Sequence, residues 1–224
     1  MVRRADVTDS GRSYGGLSRQ QRVALRRNRL TDAALELFGT QGYSSTSIER
    51  LCSTANVSTR SFYEDIGSRE ALLIALVDRL NAAALRRLDE ALEHTSEQPL
   101  VVRVVESFRA FLAVTCRDRR AARVFYVEVV GVSPVVEEWR RAQRRSISAL
   151  LTREAQRAAE RGEAESRSLH LFGLAVIGAV NSLAQEMVHT TVPGDAISVD
   201  EICEEIAYFI RSGLTVRTAV APTT

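Results

Sequence analysis

The sequence predicts an all-α chain of about nine helices, divided into a small N-terminal domain and a larger C-terminal one. Three observations carry that prediction. Apolar residues recur at i, i+3 and i+4 along most segments, the period of a helix with one buried face. Serine or threonine precedes most of those segments (Ser18, Thr46 or Ser47, Ser58, Ser68, Ser133, Ser198), where a hydroxyl can accept from the first unpaired backbone amides. Prolines number only four, and two of them, Pro99 and Pro134, stand where a helix is expected to begin. At 224 residues and 45% hydrophobic content the chain is long enough to bury a substantial core.

Residues 1–17 are polar, with scattered Arg and Gly, and are expected to form a disordered basic arm that tracks a DNA backbone or enters a groove. Ser18-Arg19-Gln20-Gln21 is a capping-box pattern. The helix it opens is expected to run from Ser18 to Thr40 on a stripe of Val23, Leu30, Ala33, Ala34, Leu37 and Phe38, with Leu25 and Leu35 off the stripe. Arg26, Arg27 and Arg29 fall on its outer face, and Gly42 ends it.

A second short helix follows, with Ile48, Leu51 and Cys52 inward. Asn56 then tolerates the left-handed turn that a reversal needs. Ser58 caps a third helix reaching Asp65, buried through Val57, Phe62 and Ile66, and Gly67 closes it. Two short helices joined by a tight turn form a helix-turn-helix, whose second helix can enter the major groove. Its outward side offers Thr59, Arg60, Ser61, Tyr63 and Glu64. Arg can bond guanine with two hydrogen bonds, Thr and Ser adapt to several bases, and a Tyr hydroxyl reaches phosphate. Asp65 is expected near the same face.

The run Thr46, Ile48, Ala55, Val57-Ser58, Phe62-Tyr63, Ser68-Arg69-Glu70 and Leu72-Leu73, preceded by Ala33-Ala34, Leu37-Phe38 and Gly42-Tyr43, resembles the DNA-binding domain of the TetR family of bacterial regulators. The resemblance covers roughly residues 22–75. Asn56 stands for the family's turn glycine, Ile66 for an aromatic, Arg69 for a lysine and Glu49-Arg50 for an Ile-Ala-like pair. It implies a helix-turn-helix domain over 18–67 and a helical effector-binding and dimerisation domain over 68–216, with a frayed tail at 217–224. It further implies phosphate contacts from Thr46, Tyr63 and Arg69, while Thr59, Arg60 and Ser61 are expected to touch bases and Ser58 is counted with the DNA-binding residues. The partners so implied are double-stranded operator DNA as an inverted repeat, and a small-molecule effector in a C-terminal cavity.

The C-terminal segments read as follows. Ser68 caps a long helix, Arg69 to about His94, whose Leu72, Leu73, Leu76, Val77, Leu80, Ala84, Leu88 and Leu92 line one side. Such a helix reaches from one domain into the next and acts as a lever. Gln98-Pro99 opens a helix carrying Val101, Val102, Val105, Phe108, Phe111, Leu112 and Thr115. Ala121–Val130 has β propensity but is short and flanked by helices, so it is assigned as a helix buried on most sides. Ser133-Pro134 opens an amphipathic helix to Arg161, ended by Gly162. Segments 166–189 and 198–212 are apolar in excess of one core. The first carries Gly173, Ala175, Gly178 and Ala179, small enough for close helix approach, and the pair is expected to form a homodimer interface.

Aromatic density beside a few polar groups marks Phe108, Phe111, Phe125, Tyr126, Glu128, Trp139 and Phe172 as candidates for the effector pocket, which favours a hydrophobic effector. Glu128 has two open roles, a polar anchor in that cavity or one half of an ion pair with an arginine.

Charge divides the chain. Residues 1–30 carry eight arginines against two aspartates, a net of +6, which leaves the remainder at −4 of a total of +2. Positive charge thus gathers beside the helix-turn-helix, where phosphates would lie. All thirty basic residues are arginine. Three cysteines stand far apart and read as reduced core residues in a cytoplasmic protein. The most apolar run, Leu169–Leu183, is too short for a bilayer, so no membrane partner is expected. His94, His170 and His189 lack a paired metal spacing, and no catalytic motif or cofactor fingerprint appears, so neither metal, cofactor nor enzyme activity is expected. The competing reading is an all-α ligand-binding or partner-docking protein whose helix-turn-helix does not read DNA.

Overall fold

The structure, a computed structural model, describes residues 18–163, 168–190 and 196–214. The expected arm at 1–17 and the tail at 217–224 lie outside the described residues. Among the described residues every regular element is helical, nine α-helices and one π-helical turn.

α1 (Arg19–Thr40), α2 (Ile48–Ala55) and α3 (Thr59–Asp65) form the N-terminal head. The capping box at Ser18 forms as expected, Ser18 accepting from the Gln21 amide and Gln21 accepting from the Ser18 amide. Ser47, not Thr46, caps α2. Asn56 takes the left-handed turn at φ 50°, and Ser58 caps α3. Leu30, Phe38, Leu51 and Phe62 are fully buried between the three helices and the start of α4. Leu35 is also buried, although its place off the sequence stripe predicts otherwise. The stripe widens because α2, α4 and the segment after Asp118 all pack on α1, so more than one of its faces is covered.

α4 (Arg69–His94) is the expected lever, roughly 40 Å long at ~1.5 Å per residue. Its first half closes the head core through Leu72, Leu73, Leu76 and Val77, and its second half packs on α5 (Leu100–Thr115). The buried face of α5 is Leu100, Val104, Ser107, Phe108, Phe111 and Leu112, together with Arg103. Phe108, Phe111, Leu112 and Thr115 are buried as expected, but in the first turns Leu100 and Val104 take the place of the expected Val101, Val102 and Val105, and Val102 is exposed. Consecutive valines leave the phase open in the sequence, and contact with α4 and the last helix sets it.

α6 (Arg119–Ala122) passes directly into the π-helical turn Arg123–Glu128. The helix expected over 121–130 is present, wound wider than an α-helix. α7 (Pro134–Glu160) starts at the Ser133 cap and ends before Gly162, φ 72°. α8 (His170–His189) begins four residues later than the expected 166. At 20 residues it is long and apolar enough, by length and composition, to cross a bilayer, which corrects the shorter estimate. α9 (Val199–Leu214) follows a Ser198–Glu201 capping box. In this fold α8 packs against α7, α9 and the π turn.

Candidate nucleic-acid interface and effector cavity

The outward face of α3 is built by one buried anchor and one cap. Phe62 is fully buried, which turns Thr59, Arg60, Tyr63 and Glu64 outward on a seven-residue helix. Ser58 and Ser61 bond each other and the helix start, at 2.9 Å between hydroxyls. Tyr63 is 55% exposed. Arg60 is exposed too and bonds Glu64 one turn on at 2.8 Å, a pair that a stronger acceptor such as guanine or phosphate can displace.

Three residues differ from expectation. Thr46 is 1% exposed, with its hydroxyl donated to the Gly42 carbonyl, so its side chain is not at the surface to meet phosphate. Arg69 lies half-buried across the Tyr43 ring, 4.4 Å from its centroid, and donates to the Thr46 carbonyl at 2.6 Å. It therefore braces the turn before α2. Asp65 is buried, not on the outer face: Arg26 holds its carboxylate at 2.6 Å, and Arg27 donates to its carbonyl. Two of the three arginines expected outside on α1 thus anchor α3. Sequence spacing could not distinguish an arginine facing phosphate from one facing an aspartate thirty-nine residues away.

The second site lies in the C-terminal domain. A cavity of about 70 Å³ is lined by Phe111, Phe125, Tyr126, Val129, Trp139, Ile147 and Ile177, with Asn81, Gln143, Asn181, Gln185, Arg140 and Arg144 supplying polarity. Four of the seven candidates meet there: Phe111, Phe125, Tyr126 and Trp139. Phe111 and Tyr126 both pack edge-on against Phe125. The Tyr126 hydroxyl meets Thr115 at 2.8 Å, and burial pushes its pKa well above the usual value. The neighbouring Cys116 thiol is likewise pushed up, to about 11, chiefly by burial. Trp139 donates its indole N–H to Asp78 on α4 at 2.8 Å.

The other three candidates lie elsewhere. Phe108 lines a separate void of about 20 Å³ with Leu88, Leu92 and Ile147. Phe172 stacks on Phe209 and lines a third void of about 30 Å³. Glu128 takes the ion-pair role: Arg123 donates to it at 2.7 Å, and the Tyr43 amide donates to its other oxygen at 2.6 Å. Both partners sit where the body meets the head. Arg123 also donates to the Thr40 carbonyl at 2.9 Å.

Residues that sequence reasoning missed follow from this junction. Gly39 lets α1 approach α6, since a Cβ there would stand 2.5 Å from the Arg120 Cβ. Arg120 in turn pairs with Glu36. Among the cavity residues, Asn81 and Gln143 bond each other at 2.8 Å. Their signal in the sequence was faint, the one amide of α4 and one of two in α7.

Residues 30–76 match the sequence profile of the tetR family of bacterial regulatory proteins. A stretch of 94 residues is 31% identical to the HTH-type transcriptional regulator TcmR of Streptomyces glaucescens, covering 42% of this chain and 40% of TcmR, less than half of that relative's length. Two solved structures share the fold. FadR of Bacillus subtilis in complex with stearoyl-CoA superposes with a TM-score of 0.73 at 15% identity, over 84% of this chain and 99% of that one. PfmR of Thermus thermophilus, a TetR-family transcriptional regulator, gives 0.63 at 20% identity, over 84% and 100%. The match to the tetR family of bacterial regulatory proteins is confined to residues 30–76, and the fold of the described residues is similar to that of these solved structures.

Proposed function

We propose that the protein is a transcriptional regulator, a repressor that binds an inverted-repeat operator as a homodimer in the cytoplasm and is released by a small-molecule effector. The observation that carries this reading is the outward face of α3, where Ser58, Thr59, Arg60 and Tyr63 stand exposed on a helix anchored by Phe62. The family match at residues 30–76 and the names of TcmR and FadR support it.

Dimerisation is supported by the outer surfaces of α8 and α9. Leu171 is 77% exposed and Tyr208 70% exposed, beside the stacked Phe172–Phe209 pair. Along α8 the exposed stripe continues through Ala175, Gly178 and Ser182, and a Cβ at Gly178 would meet nothing within 4 Å. A second copy could therefore approach α8 closely.

Coupling of effector to DNA has a physical route. Phe125 and Tyr126 line the cavity from the π turn, and Arg123 and Glu128 on the same turn grip the head at Thr40 and Tyr43. Gln185, also at the cavity, donates to the Tyr126 carbonyl of this turn at 2.9 Å. A ligand that prefers one setting of the turn biases the head, in proportion to its differential affinity for the two settings.

Gel-shift titration of the DNA flanking the coding region tests the reading. Arg60→Ala is expected to relax sequence choice at a cost of ~1–3 kcal/mol. Tyr63→Phe should weaken all duplexes alike. Equal retention of scrambled and native duplex by the unaltered protein would refute the regulator reading.

A further inference from the structure

The effector cavity has a chemistry of its own, and the inference drawn from it rests on the reading of that cavity as the effector site. Its walls are aromatic: Phe111, Phe125, Tyr126 and Trp139 surround one space, and three of these rings are already packed edge to face. Flat aromatic surface stacks on such walls better than a flexible chain does. The rim is polar and positively charged. Arg140 is held by Glu137 at 2.9 Å, whereas Arg144, half-buried beside it, makes no hydrogen bond or ion pair with any described residue. Glu137 feels the charge of both but also accepts from the Gly131 amide, at 3.0 Å. Arg144 is thus a cation at the rim whose fork is free for a carboxylate.

A second group points the same way. Asn81 is 5% exposed and lines the cavity; its Nδ2 donates to Gln143, and its Oδ1 has no partner. If the two amides are turned over together, Asn81 is left with a lone donor in place of a lone acceptor. In either setting a cavity-lining residue keeps a buried, unpaired polar atom, and leaving it unpaired costs free energy that a ligand hydroxyl, both donor and acceptor, removes. A fatty acid could place its carboxylate on Arg144, but its hydrocarbon chain would leave Asn81 unpaired and offer no flat surface to the aromatic walls. The cavity is about 70 Å³, so without movement of the helices it receives the flat part of a small molecule.

We propose that the effector is a hydroxylated aromatic acid: its ring system lies between Phe125 and Trp139, its carboxylate on Arg144, and its hydroxyl on Asn81. The specificity residues for this ligand are Arg144 and Asn81, neither of which is assigned by family resemblance.

Trp139 is the single tryptophan of the chain, so its emission reports occupancy directly. The probe is 6-hydroxy-2-naphthoate, titrated into the full-length protein without DNA, alongside 2-naphthol, 2-naphthoate and laurate. Saturable quenching is expected for the hydroxy acid, weaker binding for naphthoate and naphthol, and the weakest for laurate. Arg144→Gln should weaken the two naphthoic acids roughly tenfold or more while leaving naphthol unchanged. Naphthol or laurate binding as tightly as the hydroxy acid, or Arg144→Gln affecting acids and naphthol equally, would overturn the proposal. The comparison among ligands on the unaltered protein stands even if a variant misfolds. If the hydroxy acid binds as expected but does not release bound DNA, the ligand class holds and the effector reading fails. If it does not bind while Arg60-dependent DNA retention persists, the ligand class fails and the regulator reading survives.

Discussion

The head and the body of this protein are stabilised in different ways. In the head, apolar contacts from α1 to α4 close around Phe38, Leu51 and Phe62, and the buried acid, Asp65, is fully engaged by Arg26. In the body, the long helices bury polar groups that are incompletely paired. Asn81 Oδ1, Arg103 Nε and Nη2, and Ser148 Oγ are the buried polar side-chain atoms without hydrogen-bond partners among the described residues, and all belong to the body. An interior with unmatched polar groups sits in a shallower minimum than a dry apolar one, because each such group gains by finding a partner. The head is thus built to hold one shape. The body, with its unmatched polar groups, is the part on which the proposed coupling through the π turn between Arg123 and Glu128 would act.

That contrast can be broken experimentally. The largest effect is expected from the head: Phe62→Ala should cost ~3–5 kcal/mol, read as a drop in the urea midpoint, together with loss of DNA retention. A loss below about 1 kcal/mol would mean that the head core is not the rigid element described.

A comparable loss is expected from one charge in the body. Arg103 is 2% exposed, 3.2 Å from Glu163 and 3.9 Å from Glu154. Arg103→Met should cost ~3–5 kcal/mol, because it removes the buried cation between Glu154 and Glu163 and leaves them only Arg157, and Arg161 with the Leu100 amide, respectively. Adding Glu154→Leu should recover at least half of that, since a well-packed apolar pair can match a buried ion pair. If the double variant is no better than the single one, the body is held by that pair and is not the polar, pliable interior inferred here.

The smallest effect concerns the junction. Glu128→Gln preserves shape but removes the charge that Arg123 and the Tyr43 amide share, for a loss of ~1–2 kcal/mol. Its sharper signature is cooperativity. Calorimetry of the unaltered protein should show one transition, and the variant should show two as head and body separate. A single sharp transition in the variant would place the coupling in α4 alone.

The head was the more legible part of the sequence, for a physical reason. Its signals are local: the Ser18 box, the Ser58 cap and the left-handed Asn56 are each determined by residues within a turn of one another. Where the sequence reading erred in the head, the deciding partner was distant or hidden by a turn. Arg26 and Asp65 lie far apart in the chain, and Thr46 looked available only until Gly42 accepted its hydroxyl. In the body, aromatic density was visible but its grouping was not. Phe111, Phe125, Tyr126 and Trp139 share a cavity while Phe108 and Phe172 do not, because the phase of α5 and the approach of α8 to α9 separate them.

The amino-acid sequence by itself determined the helical class, most helix boundaries, the outward face of α3 and the resemblance on which the proposed function rests. Only the tertiary structure decided that Glu128 grips the head and not a ligand, that the segment after Ala122 winds as a π-helix, and that Asn81 and Arg144 look into one cavity. The division follows from range: caps, turns and periodicity act within a few residues, whereas ion pairs, cavities and helix phase depend on what other helices bring alongside.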